Sequence, residues 1–196
     1  MGKGSSRLAL VDALKAVGSQ FIVLHHLAFY GPMSDYTHVW WPRLVEWLSQ
    51  DARLAVQVFL VVSGFLSART LAPHGVLRGR HPLRQVLSRY IKISLPYLVA
   101  LLVAVACTLL ARHWMVHESL PDPPRLMQFV THALLLQGVL GTDSLSAGVW
   151  YVAIDFQLFT LFVGLLWLAR VLTRGAETHS ATAAAALVMG LALGSL

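Results

Sequence analysis

Residues 11–26 read VDALKAVGSQFIVLHH, an apolar run that carries Asp12, Lys15, Ser19 and His26. On a helix these four positions, spaced i, i+3, i+7 and i+14, form one stripe, and Leu14, Val17, Phe21 and Leu24 turn away from it. Lys15 and His26 are eleven residues apart, close to three full turns, so they share a face at a separation of roughly 16 Å along the axis. That span is about half the thickness of a hydrocarbon core. A greasy helix with one polar face needs either water or a protein cavity beside that face.

The rest of the chain supplies the setting. Of 196 residues, 57% are hydrophobic and 12% charged, and the mean hydropathy is +0.66. Soluble domains carry about a quarter of charged residues. The composition therefore predicts an all-α, polytopic transmembrane helical bundle, with five or six membrane segments and one of them a possible re-entrant loop. The net charge of +6 reports on orientation, because basic loops favour the cytoplasmic side; nucleic acid is not an expected partner. The lone Cys107 excludes an intrachain disulfide and a cysteine-based metal site. Asp12 and Lys15 interrupt the first apolar stretch, and no small-residue cleavage site closes it, so that helix is expected to remain as an anchor. Met1-Gly2 with Ser6 fits a myristoylation pattern only loosely.

Taken in order, the first helix is expected from Val11 to Tyr30, stopped by Gly31-Pro32. A polar connection with Trp40, Trp41 and Trp47 suits a membrane interface. A second helix covers Asp51 to Leu71, where the small residues Ser63, Gly64, Ser67 and Ala68 permit close approach of a neighbour. Between Arg69 and Lys92 the chain carries Arg69, Arg78, Arg80, Arg84, Arg89 and Lys92 and no acidic residue. This loop is expected to be cytoplasmic, together with an N-terminus bearing Lys3 and Arg7. A third helix runs from Ile91 to Arg112, entered through Pro96, and a Pro-rich turn follows. Met127 to Leu140 is short for a span: it either crosses with the help of Thr142 to Ala147 or returns as a re-entrant half-helix. Arg170 and Arg174, at the end of a helix from Val149 to Leu172, favour the second course. Ala181 to Leu196 reads as a helix cut within its apolar run.

Three ionisable residues fall within expected spans: Lys15, His26 and Asp155. Lys15 could snorkel to the inner headgroups and pair with Asp12, and His26 could sit at the outer interface. On a shared face they can instead line one cavity. There a neutral imidazole can take a proton from a sugar hydroxyl attacking a thioester, or accept the acyl group itself. His25 lies about 100° round the helix and should point elsewhere. Two cations three residues apart, Arg89 and Lys92, can hold the phosphates of a coenzyme A thioester; Arg78, Arg80 and Arg84 need do no more than enforce topology. Asp155 could orient His26, bind acceptor hydroxyls or link two helices. Gln157 is a weaker candidate of the same kind. No metal-ligand spacing, phosphate loop or nucleophile elbow is present.

Four blocks, LVDALKAVGSQFIVLHH, VFLVVSGFL, RYIKISLPY and GVWYVAIDFQLF, resemble in order and spacing the membrane-bound acyltransferase type-three family, bacterial O-acyltransferases of envelope and secreted carbohydrates. The resemblance implies that His26, separated by ten intervening residues from a basic residue at Lys15, is catalytic. The family usually has arginine there, and lysine keeps the charge but loses the guanidinium fork. Ser63-Gly64-Phe65-Leu66 matches the second-helix signature, and Arg89 with Lys92 matches an Arg-x-x-Arg pair. Trp150 and Asp155 match a Trp-x-x-x-x-Glu pattern with aspartate in place of glutamate. The implied donor is acetyl-CoA or another acyl-CoA, the implied partners are membrane lipid and a carbohydrate acceptor, and the implied location is the bacterial inner membrane. A homo-oligomer is compatible with this. The resemblance covers Arg7 to about Leu168, in a family whose domain is roughly twice as long, which suggests a single domain over 1–196 cut at its C-terminus. Rival readings are a transporter lined by the same polar residues and an inactive fragment.

Overall fold

A computed structural model describes residues 8–30, 33–79, 81–114, 116, 122–174 and 176–194. The Met1-Gly2 pattern, Lys3, Arg7, the Gly31-Pro32 stop, Arg80 and residues 117–121 of the Pro-rich turn lie outside them. Among the described residues helix is the only regular structure, as the composition requires. The residues fall into two compact units that divide within one helix, between Ser63 and Gly64.

The first unit is built on α1 (Ala9–Phe29). Gly18 is its one fully buried residue, and a methyl group there would meet the Phe59 ring at 3.2 Å. The small residue that lets helices approach is thus Gly18. At Gly64, expected to do this, an added methyl group meets nothing within 4 Å. The Trp-rich connection is helical, forming α2 (Met33–His38) and α3 (Pro42–Gln50). Pro42 at the first helical position costs no hydrogen bond and presets the backbone for a helix. Trp47 packs edge-on against Phe21 of α1, with ring centres 5.8 Å apart, so at least one indole serves packing. A 3₁₀ turn (Ala52–Leu54) leads into α4 (Ala55–Leu71).

The second unit contains α5 (Pro82–Trp114), α6 (Leu126–Ala133), α7 (Val149–Leu172) and α8 (Glu177–Gly194). The α5 helix starts nine residues before the expected Ile91 and carries Pro96 inside it. Pro82 opens the helix, and the basic residues that read as loop extend it, because Arg, Leu and Gln are good helix formers. Arg89 pairs with Asp155 of α7, while Arg170 near the end of α7 donates to the Gly79 carbonyl just ahead of α5. The two helices are therefore antiparallel. Tyr97, Leu101, Leu135, Leu145 and Ala153 form the buried core between them. Leu77, Leu166, Ala169 and Ala184 form a second core that seats α8 on α7. Gly75, with φ +75°, lies where a side chain would strike Ala181.

The stretch from Met127 to Leu140 resolves into the eight residues of α6, about 12 Å of helix, too short to cross a bilayer. Leu135 then takes a left-handed conformation, φ 57°, and the chain doubles back. The reversal brings Thr142 against Thr131 at 2.9 Å and the Leu145 N–H onto His132 Nε2 at 3.2 Å. Since His132 Nδ1 donates to the Gln128 carbonyl at 2.7 Å, one neutral tautomer satisfies both contacts. Tyr90 and Gln157 donate to the carbonyls of Ala133 and Leu135 at the tip, which satisfies backbone acceptors that a sharp turn would strand.

Three described helical stretches are long and apolar enough to cross a membrane: Pro42–Leu71, taking α3 through α4 as one, Pro82–Trp114 and Val149–Leu172. The α1 helix is not among them, since Asp12, Lys15, Gln20, His25 and His26 lower its hydropathy.

Candidate functional site

Within the first unit, Asp12, Lys15 and Ser19 lie exposed along one side of α1, and His26, on the same stripe, is half-buried. His25 turns to α3, where its Nδ1 donates to the Leu48 carbonyl at 3.0 Å. That bond absorbs the neighbouring histidine and leaves His26 on a different face, as the helical angle requires. The His26 ring stacks at a tilt on Tyr30, with centres 5.7 Å apart. Its buried Nδ1 has no hydrogen-bond partner among the described residues.

The second unit brings Arg89, Lys92 and Asp155 together. Arg89 Nη2 donates to Asp155 Oδ2 at 2.7 Å, with the two side chains 26% and 14% exposed. The guanidinium also lies over the Phe159 ring, 4.3 Å from its centre, and its Nη1 reaches Ser67 Oγ at 3.5 Å. Asp155 and Phe159 are four apart on α7 and so share a face; one contributes the counter-charge and the other a π surface for the same cation. Of the roles open to Asp155, the polar link between helices is the one seen.

Beside this pair is a cavity of about 570 Å³. Leu66, Ser67, Thr70 and Leu71 of α4, Phe159 of α7, and the face of α5 bearing Arg84, Gln85, Ser88, Arg89 and Lys92 line it, together with Gly79 and His81. One wall is apolar and one is cationic. Arg84, Ser88 and Lys92 follow at i, i+4 and i+8, so the long α5 presents them as one row. A basic row against an apolar wall can hold an anionic head and a neutral chain together. Ser67, buried at 7% exposure, and Phe159 were not legible as site residues: a serine among small residues and an aromatic in an apolar helix both read as packing. Arg84 read as a topology signal and lies in the cavity wall. Gln157 holds the hairpin tip.

A smaller hollow of about 450 Å³ in the first unit is lined by Ser34, Asp35, His38, Glu46, Ser49 and Gln50 among others and includes none of the expected site residues. No group of three or more metal-ligating side chains is found among the described residues.

Comparison with known proteins places the chain. No curated relative and no solved structure matches it. The acyltransferase domain, type three, matches residues 8–195, nearly the whole sequence. The three apolar helices and the helical architecture agree with a membrane enzyme. The chain belongs to the acyltransferase type-three family and is a membrane acyltransferase.

Proposed function

We propose that this acyltransferase takes an acyl group, in the first instance acetyl, from acyl-CoA at the cytoplasmic face of a bacterial inner membrane. It passes the group to a hydroxyl of a cell-envelope or secreted carbohydrate. The observation that carries this reading is the cavity in which Arg89 and Lys92 face Leu66, Leu71 and Phe159. Coenzyme A needs such a combination: cations for its phosphates, and apolar cover for the arm that delivers the thioester. The run of cations from Arg69 to Lys92 without an acidic residue supports a cytoplasmic position for this cavity.

In the reaction the acceptor oxygen attacks the thioester carbonyl carbon while His26 takes its proton. The carbon–sulfur bond breaks as the ester bond forms, the thiolate of coenzyme A leaves, and the proton on the imidazole passes to it or to solvent. A variant route passes the acyl group through His26 itself. The Nδ1 of His26, without a hydrogen-bond partner among the described residues, suits a group that must exchange a proton. Lys15 supplies a fixed positive charge on the same face, and Asp155 contributes through Arg89, which it holds.

Purified full chain is incubated with acetyl-labelled acetyl-CoA and envelope polysaccharide. The expected result is labelled polysaccharide from the wild type, none from His26→Ala, and equal helical content in both. Full transfer by His26→Ala removes the mechanism, and failure of the wild type to take label from acetyl-CoA removes the donor.

A further inference from the structure

The cavity wall carries more charge than the pair Arg89 and Lys92. Arg84 lies two turns before Lys92 on the same face of α5, about 12 Å along the axis, and His81 also lines the cavity. The four groups are not equivalent. Arg89 is half-buried and already bonded to Asp155 at 2.7 Å, so much of its charge is compensated within the protein. Arg84 and Lys92 are exposed, and among the described residues no acidic side chain lines the cavity. The cavity therefore offers two cationic positions along α5: Lys92 with Arg89, where the apolar run of α5 begins, and Arg84, two turns nearer the start of the helix.

Coenzyme A presents two anionic centres in a fixed order. The diphosphate adjoins the pantetheine arm, and the 3′-phosphate sits on the ribose at the far end. The arm must run toward the apolar side to bring its thioester to an acceptor, so the diphosphate meets Lys92 and Arg89. The ribose end is left toward the first turns of α5, where Arg84 lies. A phosphate monoester there, with a charge of about −1.5 to −2 and three acceptor oxygens, suits the planar fork of an arginine.

We infer that Arg84, two turns before Lys92 in the cavity wall, reads the 3′-phosphate of coenzyme A and so sets the enzyme's preference for coenzyme A over its 3′-dephospho form. This rests on the donor reading above. The residue is one of specificity and is remote from the reacting atoms.

The test uses the full chain in detergent micelles, with acetyl-CoA and acetyl-3′-dephospho-CoA compared by equilibrium binding. Wild type is expected to bind acetyl-CoA about tenfold to a hundredfold more tightly. Arg84→Gln should erase that preference while leaving the affinity for the dephospho donor unchanged, and Arg84→Lys should restore part of it. Arg78→Gln, which removes the same charge from an exposed position outside the cavity wall, should keep the full preference. A preference that survives Arg84→Gln overturns the assignment, as do equal losses for both donors or a wild type that does not discriminate. A wild type that binds neither donor takes down the donor reading itself, a separate and recognisable outcome.

Discussion

Arg89 and Asp155, 66 residues apart in sequence, are joined by a 2.7 Å ion pair between α5 and α7. The same guanidinium rests on Phe159, one turn further along α7. A cation fixed from two sides cannot swing away from the cavity it lines, so the pair sets the geometry of that wall as well as joining two helices.

Removing either partner should cost more than removing both. Asp155→Asn leaves a half-buried cation uncompensated, and Arg89→Gln does the same to the carboxylate. The coupling should be about 1–2 kcal/mol, below the loss for a fully buried pair because both side chains retain some contact with solvent. A double-mutant cycle on thermal unfolding in detergent measures it, and strictly additive losses would show that the pair does not couple the helices.

Gly18→Val should be among the more damaging changes in the first unit. Even a methyl group there approaches the Phe59 ring at 3.2 Å, and a branched side chain must push α1 off its neighbour, a loss of roughly 1–3 kcal/mol. Gly64→Ala, in open space, should be neutral or slightly stabilising. The order of midpoints in a thermal scan, Gly64→Ala above wild type or level with it and Gly18→Val well below, is the observable.

His132 has no exposed surface and accepts the Leu145 N–H while donating to Gln128. His132→Leu keeps bulk but strands that N–H in the interior, at about 1–3 kcal/mol. The damage should be local. Hydrogen exchange ought to accelerate across 131–145 and leave α8 protected, whereas uniform acceleration would mean that the hairpin is no separate unit.

Arg174 holds a left-handed backbone, φ 51°, at the end of α7 with an exposed side chain. Arg174→Gly relieves that conformation and should raise stability by about 0.5–1 kcal/mol. A lowered unfolding midpoint would contradict this.

The sequence shows some of this architecture directly. The α7 limits, Val149–Leu172, coincide with the expected ones because a long apolar run between Gly148 and the basic Arg170–Arg174 end has few alternatives. The start of α5 was hidden because positive charge signals cytoplasm and helix formers signal helix, and both statements hold for 82–92. The fate of Asp155 was hidden for another reason. A carboxylate in an apolar helix announces that it needs a partner, yet nothing along the chain says which of several cations the packing will deliver. His132 and Ser67 read as ordinary residues, since their importance comes from the neighbours that tertiary structure gives them.

The 33 residues of α5 measure about 50 Å, against a hydrocarbon slab of roughly 30 Å. The surplus, about 20 Å, matches the segment from Pro82 to Ser94, which carries Arg84, Arg89 and Lys92 of the cavity wall. The helix is thus a ruler, long enough to hold its charged turns at headgroup depth while its remaining turns lie in oil.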